Sequence, residues 1–187
     1  LEDVIPFIRR TASENTLVIP ILNVFGTGGI LEASCPDPVI LDGCIYIYSM
    51  IEAPGVVVQP SPIFRVFFGY RKGQERRLES LAVQVERDLH EAGIDAAFTD
   101  EIQKEALTKF SYVSPIGAAG IYLDQTGGAF KHPGEAQDLF LELVHEIETL
   151  GHAMGITFEE DLGERNLKIL EGLDDDSTTS MQRDVQH

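Results

Sequence analysis

The spacing of apolar residues changes near residue 99, and this change constrains the fold of the 187-residue chain more than any other feature. Before that point, short apolar runs alternate with turn signals and helical patterns; after it, the spacing is helical almost throughout. Alternating strands and helices are typical of an α/β domain, whereas helical spacing alone is typical of an α-helical one. The sequence therefore predicts an α/β region over residues 1–98 and an all-α region over residues 99–187.

The α/β region contains one continuous apolar run, residues 16–22, which predicts a strand buried on both faces. A short helix is predicted over residues 30–34, and an amphipathic helix over residues 75–92, where Gly93 ends it. Four further strands are predicted where apolar runs lie between turn signals: residues 44–51, 56–59, 63–70 and 94–98.

The all-α region begins with a helix that Thr99 or Asp100 caps and that runs through Lys109. Pro115 falls inside this pattern. Because proline has no N–H and its ring clashes with the preceding turn, we expect Pro115 to kink or end the helix. Further helices are predicted over residues 135–154, 161–170 and 181–185.

Both ends of the chain carry helical patterns that start or stop abruptly. Residues 1–12 begin in mid-helix without a capping residue, and residues 180–187 stop inside another helical pattern. We therefore expect a fragment of a longer protein.

The charge of the chain argues against two broad classes of partner. Acidic side chains outnumber basic ones by 31 to 14, for a formal net charge of −17, so phosphate backbones and anionic lipids are repelled. No apolar run of about 18 residues predicts a membrane-spanning helix. Two cysteines, Cys35 and Cys44, cannot build a disulfide framework, and a cytoplasmic protein is the default expectation.

Lys109 is the first candidate for chemistry, because it lies between Leu107 and Phe110 in a predicted helix. A lysine among apolar neighbours can be desolvated, which lowers its pKa and makes it a usable proton donor. The alternative is a surface lysine whose aliphatic stem lies along an apolar face. From the residues alone the second interpretation is favoured, since lysines are rarely buried.

Asn23 follows the first predicted strand, at the place where open α/β sheets position ligand-binding groups. Asparagine is also a common turn residue. Gly26-Thr27-Gly28-Gly29 could hold a phosphate at a helix start, but it does not match GxGxxG. We therefore interpret it mainly as a turn.

Ser177-Thr178-Thr179-Ser180 predicts a cap for the last helix, because these hydroxyls accept hydrogen bonds from the unpaired N–H groups of a helix start. The same hydroxyls could also face a ligand. His145 and His152 are seven residues apart on one predicted helix face. Without a third ligand nearby in the sequence, no metal site is predicted.

Several stretches together resemble the ketopantoate reductase (2-dehydropantoate 2-reductase) family in the order and spacing of its motifs. Pro20-Ile21-Leu22-Asn23 with Gly26 resembles the P-L-Q-N-G-x-G turn of that family. Ala106-Leu107-Thr108-Lys109-Phe110 resembles its W-x-K-F motif, and residues 177–184 resemble its T-S-S-M-x-x-D helix start. Shorter similarities lie between these motifs at residues 52–56, 67–69, 92–94 and 100–102.

The resemblance implies NADPH-dependent reduction of a keto acid, 2-dehydropantoate, to pantoate in pantothenate and coenzyme A synthesis. It implies that residues 1–98 are the second half of a Rossmann-type domain and that residues 99–187 are a helical substrate domain like that of 6-phosphogluconate dehydrogenase. Lys109 matches the lysine that donates a proton to the carbonyl oxygen, and Asn23 matches the asparagine at the nicotinamide end of the cleft between the domains. Ser180 matches a serine that holds the acid end of the substrate, and a homodimer is expected.

The chain departs from this family at positions that concern substrate and cofactor. Asparagines are common in the family four and eight residues after the lysine, where this chain has Val113 and Gly117. We expect Ser111 or Ser114 to contact the substrate instead. The GxGxxG unit that holds the NADPH phosphates is absent from residues 1–187, so we expect this chain by itself to bind NADPH poorly.

Two alternatives stay open at this point. One is a related NAD(P)-dependent hydroxy acid dehydrogenase that acts on another keto acid, which Val113 and Gly117 favour. The other is a non-catalytic helical dimerisation or ligand-binding module without a nucleotide domain. A substrate panel separates the first alternative from ketopantoate reduction, and the upstream reading frame tests the second.

Overall fold

The structure, a computed structural model, describes residues 1–186 and divides into two compact units, Leu1–Ala106 and Leu107–His187. The first unit mixes helices and strands and the second is helical, which confirms the predicted order of an α/β region followed by an all-α region. The division falls later in the chain than the predicted boundary near residue 99. His187, the last residue of the predicted C-terminal helical pattern, lies outside the described residues.

Helices are predicted correctly near the N-terminus, after Gly26 and before Gly93. They are α1 (Val4–Thr11), α2 (Thr27–Ser34) and α3 (Glu79–Glu91), and α4 (Ile102–Leu123) begins at the end of the first unit. The strands of this unit are β1 (Leu17–Val18), β2 (Val39–Ile40), β3 (Asp42–Ile47), β4 (Met50–Ala53), β5 (Val56–Val58), β6 (Phe64–Gly69) and β7 (Asp95–Phe98).

These strands form three small sheets. β1 and β2 pair in parallel, β3, β6 and β7 form a mixed sheet with β6 in the middle, and β4 and β5 form a hairpin. In the mixed sheet, Cys44 lies opposite Phe67 in the antiparallel pair, and Val66 lies opposite Ala96 in the parallel pair. Gly55, with φ of 79°, forms the hairpin turn that the sequence predicts.

Two predicted strands are wrong in extent. The run at residues 16–22 pairs only over two residues, and Ile21 and Leu22 are 43% and 50% exposed. Pro20 has no N–H to contribute to a ladder, which limits this strand. The predicted strand 44–51 is divided between β3, which pairs with β6, and β4, which pairs with β5. Two residues connect β3 to β4, whereas five residues connect β5 to β6. Because these two connections differ in length, the β3–β6 pairing cannot continue in register into the β4–β5 hairpin.

The core of the mixed sheet lies beneath α3. Phe68 and Ala82 are fully buried there, and Leu78, Val85 and Leu89 pack against the same cluster, whereas Leu81 is exposed. The helix begins at Glu79 rather than at the predicted residue 75. Leu78, directly before it, has φ of 59°, which a right-handed helix does not accommodate.

The second unit consists of helices joined by short turns. α4 is followed by a 3-10 turn (Gly127–Phe130), α5 (Glu135–Ala153), α6 (Leu162–Glu171) and α7 (Ser180–Gln186), which confirms the predicted helices after residue 134. Asp161 caps α6 by accepting a hydrogen bond of 2.7 Å from the Glu164 N–H. Phe130, Phe140 and Leu170 are buried at the centre of this unit.

Pro115 does not end α4, since the helix continues to Leu123. Pro115 cannot donate to the carbonyl of Ser111, four residues earlier. The Asn166 side chain on α6 donates to that carbonyl instead, at 3.0 Å, and donates to the Ser111 hydroxyl at 3.0 Å. A donor from another helix thus satisfies the acceptor that proline leaves unpaired, so the helix tolerates the proline.

Candidate functional site

Lys109 lies on α4, one of the helices whose packing defines the second unit. Lys109 is the third residue of the unit and its side chain is half-buried, whereas Leu107, two residues earlier, is fully buried. Val113 and Gly117 follow at steps of four residues, so the three positions share one face of the helix. Burial raises the pKa of the neighbouring Tyr112 to about 12, so this phenol is neutral at physiological pH.

Side chains of α7 pack directly against α4 at Gly117 and Gly120. A Cβ atom at Gly117 would lie 2.6 Å from the Met181 Sδ, and one at Gly120 would lie 2.8 Å from the Gln182 side chain. The two glycines therefore allow side chains of α7 to contact the backbone of α4. This packing brings the helix that carries Lys109 next to the helix that begins at Ser180.

The two serines predicted to contact substrate have different surroundings. Ser111 is fully buried; its hydroxyl donates to the Thr108 carbonyl at 2.8 Å and accepts from Asn166. The Ser111 hydroxyl is thus used both as a donor and as an acceptor by hydrogen bonds inside the second unit. Ser114 is half-buried and is the more accessible of the two.

The start of α7 confirms the predicted cap and shows which residues form it. The Gln182 N–H donates to the Thr179 hydroxyl at 3.2 Å, and the Thr179 N–H donates to the Gln182 Oε1 at 2.9 Å. These reciprocal bonds form a capping box. Ser180 is the first helical residue and is exposed, so its hydroxyl is not used by this cap.

The acidic loop before α7 is anchored to the turn after α4. The Lys131 ammonium pairs with the Asp175 carboxylate at 2.7 Å, which lowers the pKa of that carboxyl. The backbone N–H groups of Gly127 and Gly128 donate to the carbonyls of Ser177 and Asp175, each at 2.9 Å. These contacts position residues 177–180 at the start of α7.

Asn23 belongs to the first unit, in the segment between β1 and α2, and its side chain is exposed. The turn interpretation of residues 26–29 holds only at Gly26, which has φ of 77°; Thr27, Gly28 and Gly29 already form the first turn of α2, which begins three residues before the predicted start. The Thr27 hydroxyl donates to the Val24 carbonyl at 2.7 Å, which closes this turn. A Cβ at Gly28 would lie 2.1 Å from the Asp42 carboxylate, so close packing requires the glycine.

Arg71 forms the buried ion-pair network of the first unit. Its guanidinium donates to Asp42 at 3.0 Å, to Glu32 at 2.8 Å and to the Ile40 carbonyl at 3.0 Å. Gln74 also donates to Glu32, at 3.0 Å. The network joins α2, β2, β3 and the segment after β6.

Sequence reasoning missed Asn166, Met181 and Gln182, which shape the surroundings of α4 and α7. Only Gln182 had a local signal, the T-x-x-Q spacing of a capping box. The partners of Asn166 and Met181 lie more than fifty residues away along the chain, so no local pattern identifies them.

Two further findings concern the part of the chain that the structure describes. Within it, no group of three or more His, Cys, Asp or Glu side chains is arranged to hold a metal ion. No helix among residues 1–186 is both long enough and apolar enough to cross a membrane.

Comparison with known families identifies the second half of the chain. Residues 101–187 match the family described as "Ketopantoate reductase PanE/ApbA C terminal". This stretch contains Lys109, Ser114 and Ser180. This match confirms, over residues 101–187, the resemblance predicted from the motifs.

Solved structures with the same fold include ketopantoate reductases and a D-mandelate dehydrogenase. The chain is similar to 2-dehydropantoate 2-reductase from Porphyromonas gingivalis W83, with 25% identity and a TM-score of 0.77 over 92% of this chain and 58% of that one. It is also similar to the dimeric ketopantoate reductase from Staphylococcus aureus, with 22% identity and a TM-score of 0.82 over 100% and 60%. A structure of D-mandelate dehydrogenase with NADH and anilino(oxo)acetate matches with 19% identity and a TM-score of 0.79 over 97% and 58%.

The chain thus spans about three fifths of the length of these three solved proteins. A comparison with curated proteins gave no match.

Proposed function

We propose that the gene product to which this chain belongs uses NADPH to reduce the ketone of a 2-oxo acid, with 2-dehydropantoate as the substrate that the family match implies. The observation that supports this proposal is the position of Lys109. It lies on a half-buried face of α4, inside the region that matches the ketopantoate reductase family.

In this proposal Lys109 acts on the carbonyl oxygen of the substrate. Bound NADPH supplies the hydride that adds to the carbonyl carbon. As that bond forms, negative charge develops on the oxygen, and the lysine ammonium stabilises it as a hydrogen-bond donor and transfers a proton to it. Ser180 and Ser114 carry hydroxyls that are suited to bind the carboxylate and the remainder of the substrate. Ser111 serves as a buried support for α4.

The residues present fit only one end of the cofactor. The exposed amide of Asn23 is suited to contact the nicotinamide end. The turn that follows does not suit the phosphates, because Thr27 closes it and the carboxylates of Asp42 and Glu32 surround the Arg71 guanidinium nearby. The proposal therefore assigns the phosphates to a Rossmann-type segment that residues 1–187 do not include.

The first test is NADPH oxidation by the natural-length gene product in the presence of 2-dehydropantoate. Lys109→Ala is expected to lower kcat by about 10²–10⁴-fold, the usual contribution of a positioned general acid. Lys168→Ala, which removes an exposed lysine of α6 in the same unit, is the matched control and should leave kcat unchanged. A Lys109→Ala rate within a few-fold of wild type would remove Lys109 from the mechanism.

We also propose that the natural-length protein is a homodimer, since the Staphylococcus aureus ketopantoate reductase of the same fold is dimeric. Light scattering coupled to size-exclusion chromatography tests this proposal. A monomer at micromolar concentration would contradict it.

A further inference from the structure

The backbone hydrogen bonds of α4 are interrupted directly after Lys109. Pro115 has no N–H, so the Ser111 carbonyl, two residues after Lys109, lacks the backbone donor that an α-helix supplies four residues later. Sharp bends in helices occur mostly at such interruptions. The direction in which the Lys109 side chain leaves the helix therefore depends on the group that replaces this donor.

The replacement comes from Asn166 on α6, and it extends to the peptide group before Lys109. The Asn166 Nδ2 donates to the Ser111 carbonyl and to the Ser111 hydroxyl, each at 3.0 Å. The Ser111 hydroxyl donates in turn to the Thr108 carbonyl at 2.8 Å. The Thr108 carbonyl and the Lys109 N–H belong to one planar peptide group. Two hydrogen bonds in series therefore connect α6 to the peptide plane that carries Lys109.

This connection lies in the interior of the second unit. The Asn166 and Ser111 side chains are fully buried, so their hydrogen bonds are shielded from water and are stronger than exposed ones. On the other side of Lys109, a Cβ at Gly151 of α5 would lie 3.6 Å from the Leu107 Cδ1. Contacts to α5 and α6 thus hold α4 immediately before and immediately after Lys109.

We propose that Asn166 is a positioning residue, which acts through Ser111 on the peptide group of Lys109 and so holds the Lys109 ammonium at the carbonyl oxygen of the substrate. This inference rests on the proposed function. Asn166 is fully buried and does not itself reach a ligand. A misplacement of about 1 Å at a reacting group lowers a rate by about 10²-fold. The loss of Asn166 should therefore lower kcat rather than raise KM.

The first test measures NADPH oxidation by the natural-length protein with 2-dehydropantoate, at a temperature where each variant is folded. Asn166→Ala is expected to lower kcat by about 10–100-fold and to change KM by less than about 3-fold. Gln137→Ala is the matched control, because the Gln137 amide also donates to a main-chain carbonyl of the second unit, that of Phe130, at 3.0 Å. This control should leave kcat within about 2-fold of wild type.

A double-mutant cycle separates positioning from a general structural effect. If Asn166 acts through Lys109, Asn166→Ala should not lower the residual rate of the Lys109→Ala protein any further, measured in a single turnover. Additive losses would show that Asn166 supports the enzyme independently of Lys109, and they would overturn the inference.

Variants of Ser111 provide the same test in case Asn166→Ala fails to fold. Ser111→Ala breaks the connection to the Thr108 carbonyl and should lower kcat by about 10-fold. Ser111→Thr keeps a hydroxyl and should lose less of the rate than Ser111→Ala. A folded Ser111→Ala protein with the kcat of wild type would overturn the inference and leave the proposed reduction standing. If wild type does not reduce 2-dehydropantoate, or Lys109→Ala reduces it as fast as wild type, the proposed function fails and this inference fails with it.

Discussion

Each unit of the molecule contains a buried polar network, and the two networks differ in charge. In the first unit the Arg71 and Asp42 side chains are only 14% and 7% exposed and form an ion pair that Glu32 completes. In the second unit the fully buried Asn166 and Ser111 form a neutral network. The charged network connects four segments of the chain. The neutral network supplies one α4 carbonyl, that of Ser111, with the hydrogen-bond donor that Pro115 lacks.

Because the two networks differ in charge, we expect the loss of one member to change the free energy of unfolding by different amounts. A buried charge without its counter-ion destabilises the fold by its full free energy of desolvation. A buried neutral carbonyl without a donor has a smaller desolvation free energy, so its loss of a partner destabilises the fold less. We therefore expect larger effects in the first unit than in the second. The next three predictions test that order.

The largest effect is expected from Arg71→Met. Removing the guanidinium leaves the buried Asp42 carboxylate without its partner, which should lower the free energy of unfolding by about 3–5 kcal/mol. Urea unfolding of residues 1–187, followed by circular dichroism, measures this change. Arg65→Met is the matched control, because the Arg65–Asp95 pair is exposed. Equal effects of the two variants would contradict a special role for burial.

An intermediate effect is expected from Asn166→Ala. It leaves the Ser111 carbonyl without its donor and should lower the free energy of unfolding by about 2–3 kcal/mol. Adding Pro115→Ala supplies a backbone N–H four residues after Ser111, so the double variant should recover about 1 kcal/mol relative to the sum of the single variants. Strict additivity in the double-mutant cycle would show that Asn166 does not replace the donor that Pro115 lacks.

The smallest effect is expected from Asp175→Asn. Lys131 lowers the pKa of the Asp175 carboxyl, so the ion pair stabilises the fold above the ordinary aspartate pKa, and its contribution is lost as pH falls through the lowered value. Asp175 is exposed, so the decrease in Tm at neutral pH should be small and should shrink in high salt. A difference in Tm that grows on acidification would contradict this assignment.

Much of the helical part of the fold is predictable from the sequence, whereas the strands are less so. Gly155 and Asp161 mark helix ends through local backbone and capping chemistry, and both mark boundaries in the structure. The run at residues 16–22 is apolar in sequence but forms only a two-residue strand. A strand depends on a partner elsewhere in the chain, and no local pattern supplies the register of that partner.

The sequence proposes residues for the candidate site but does not predict their surroundings. The motif around Lys109 lies in the region that matches the ketopantoate reductase family. The two candidate serines, Ser111 and Ser114, are equivalent in the sequence pattern. They differ in burial and hydrogen bonding, because Asn166 on α6 donates a hydrogen bond to the buried Ser111 hydroxyl.

The sequence by itself determined where the helices lie and in which order the two kinds of region follow, because capping residues, glycines and apolar spacing act over a few residues. Only the tertiary structure decided that α4 continues through Pro115 and that Met181 covers Gly117. Hydrogen-bond satisfaction and close packing depend on atoms brought together from distant parts of the chain. The contact between Met181 and Gly117 is therefore a property of two packed helices.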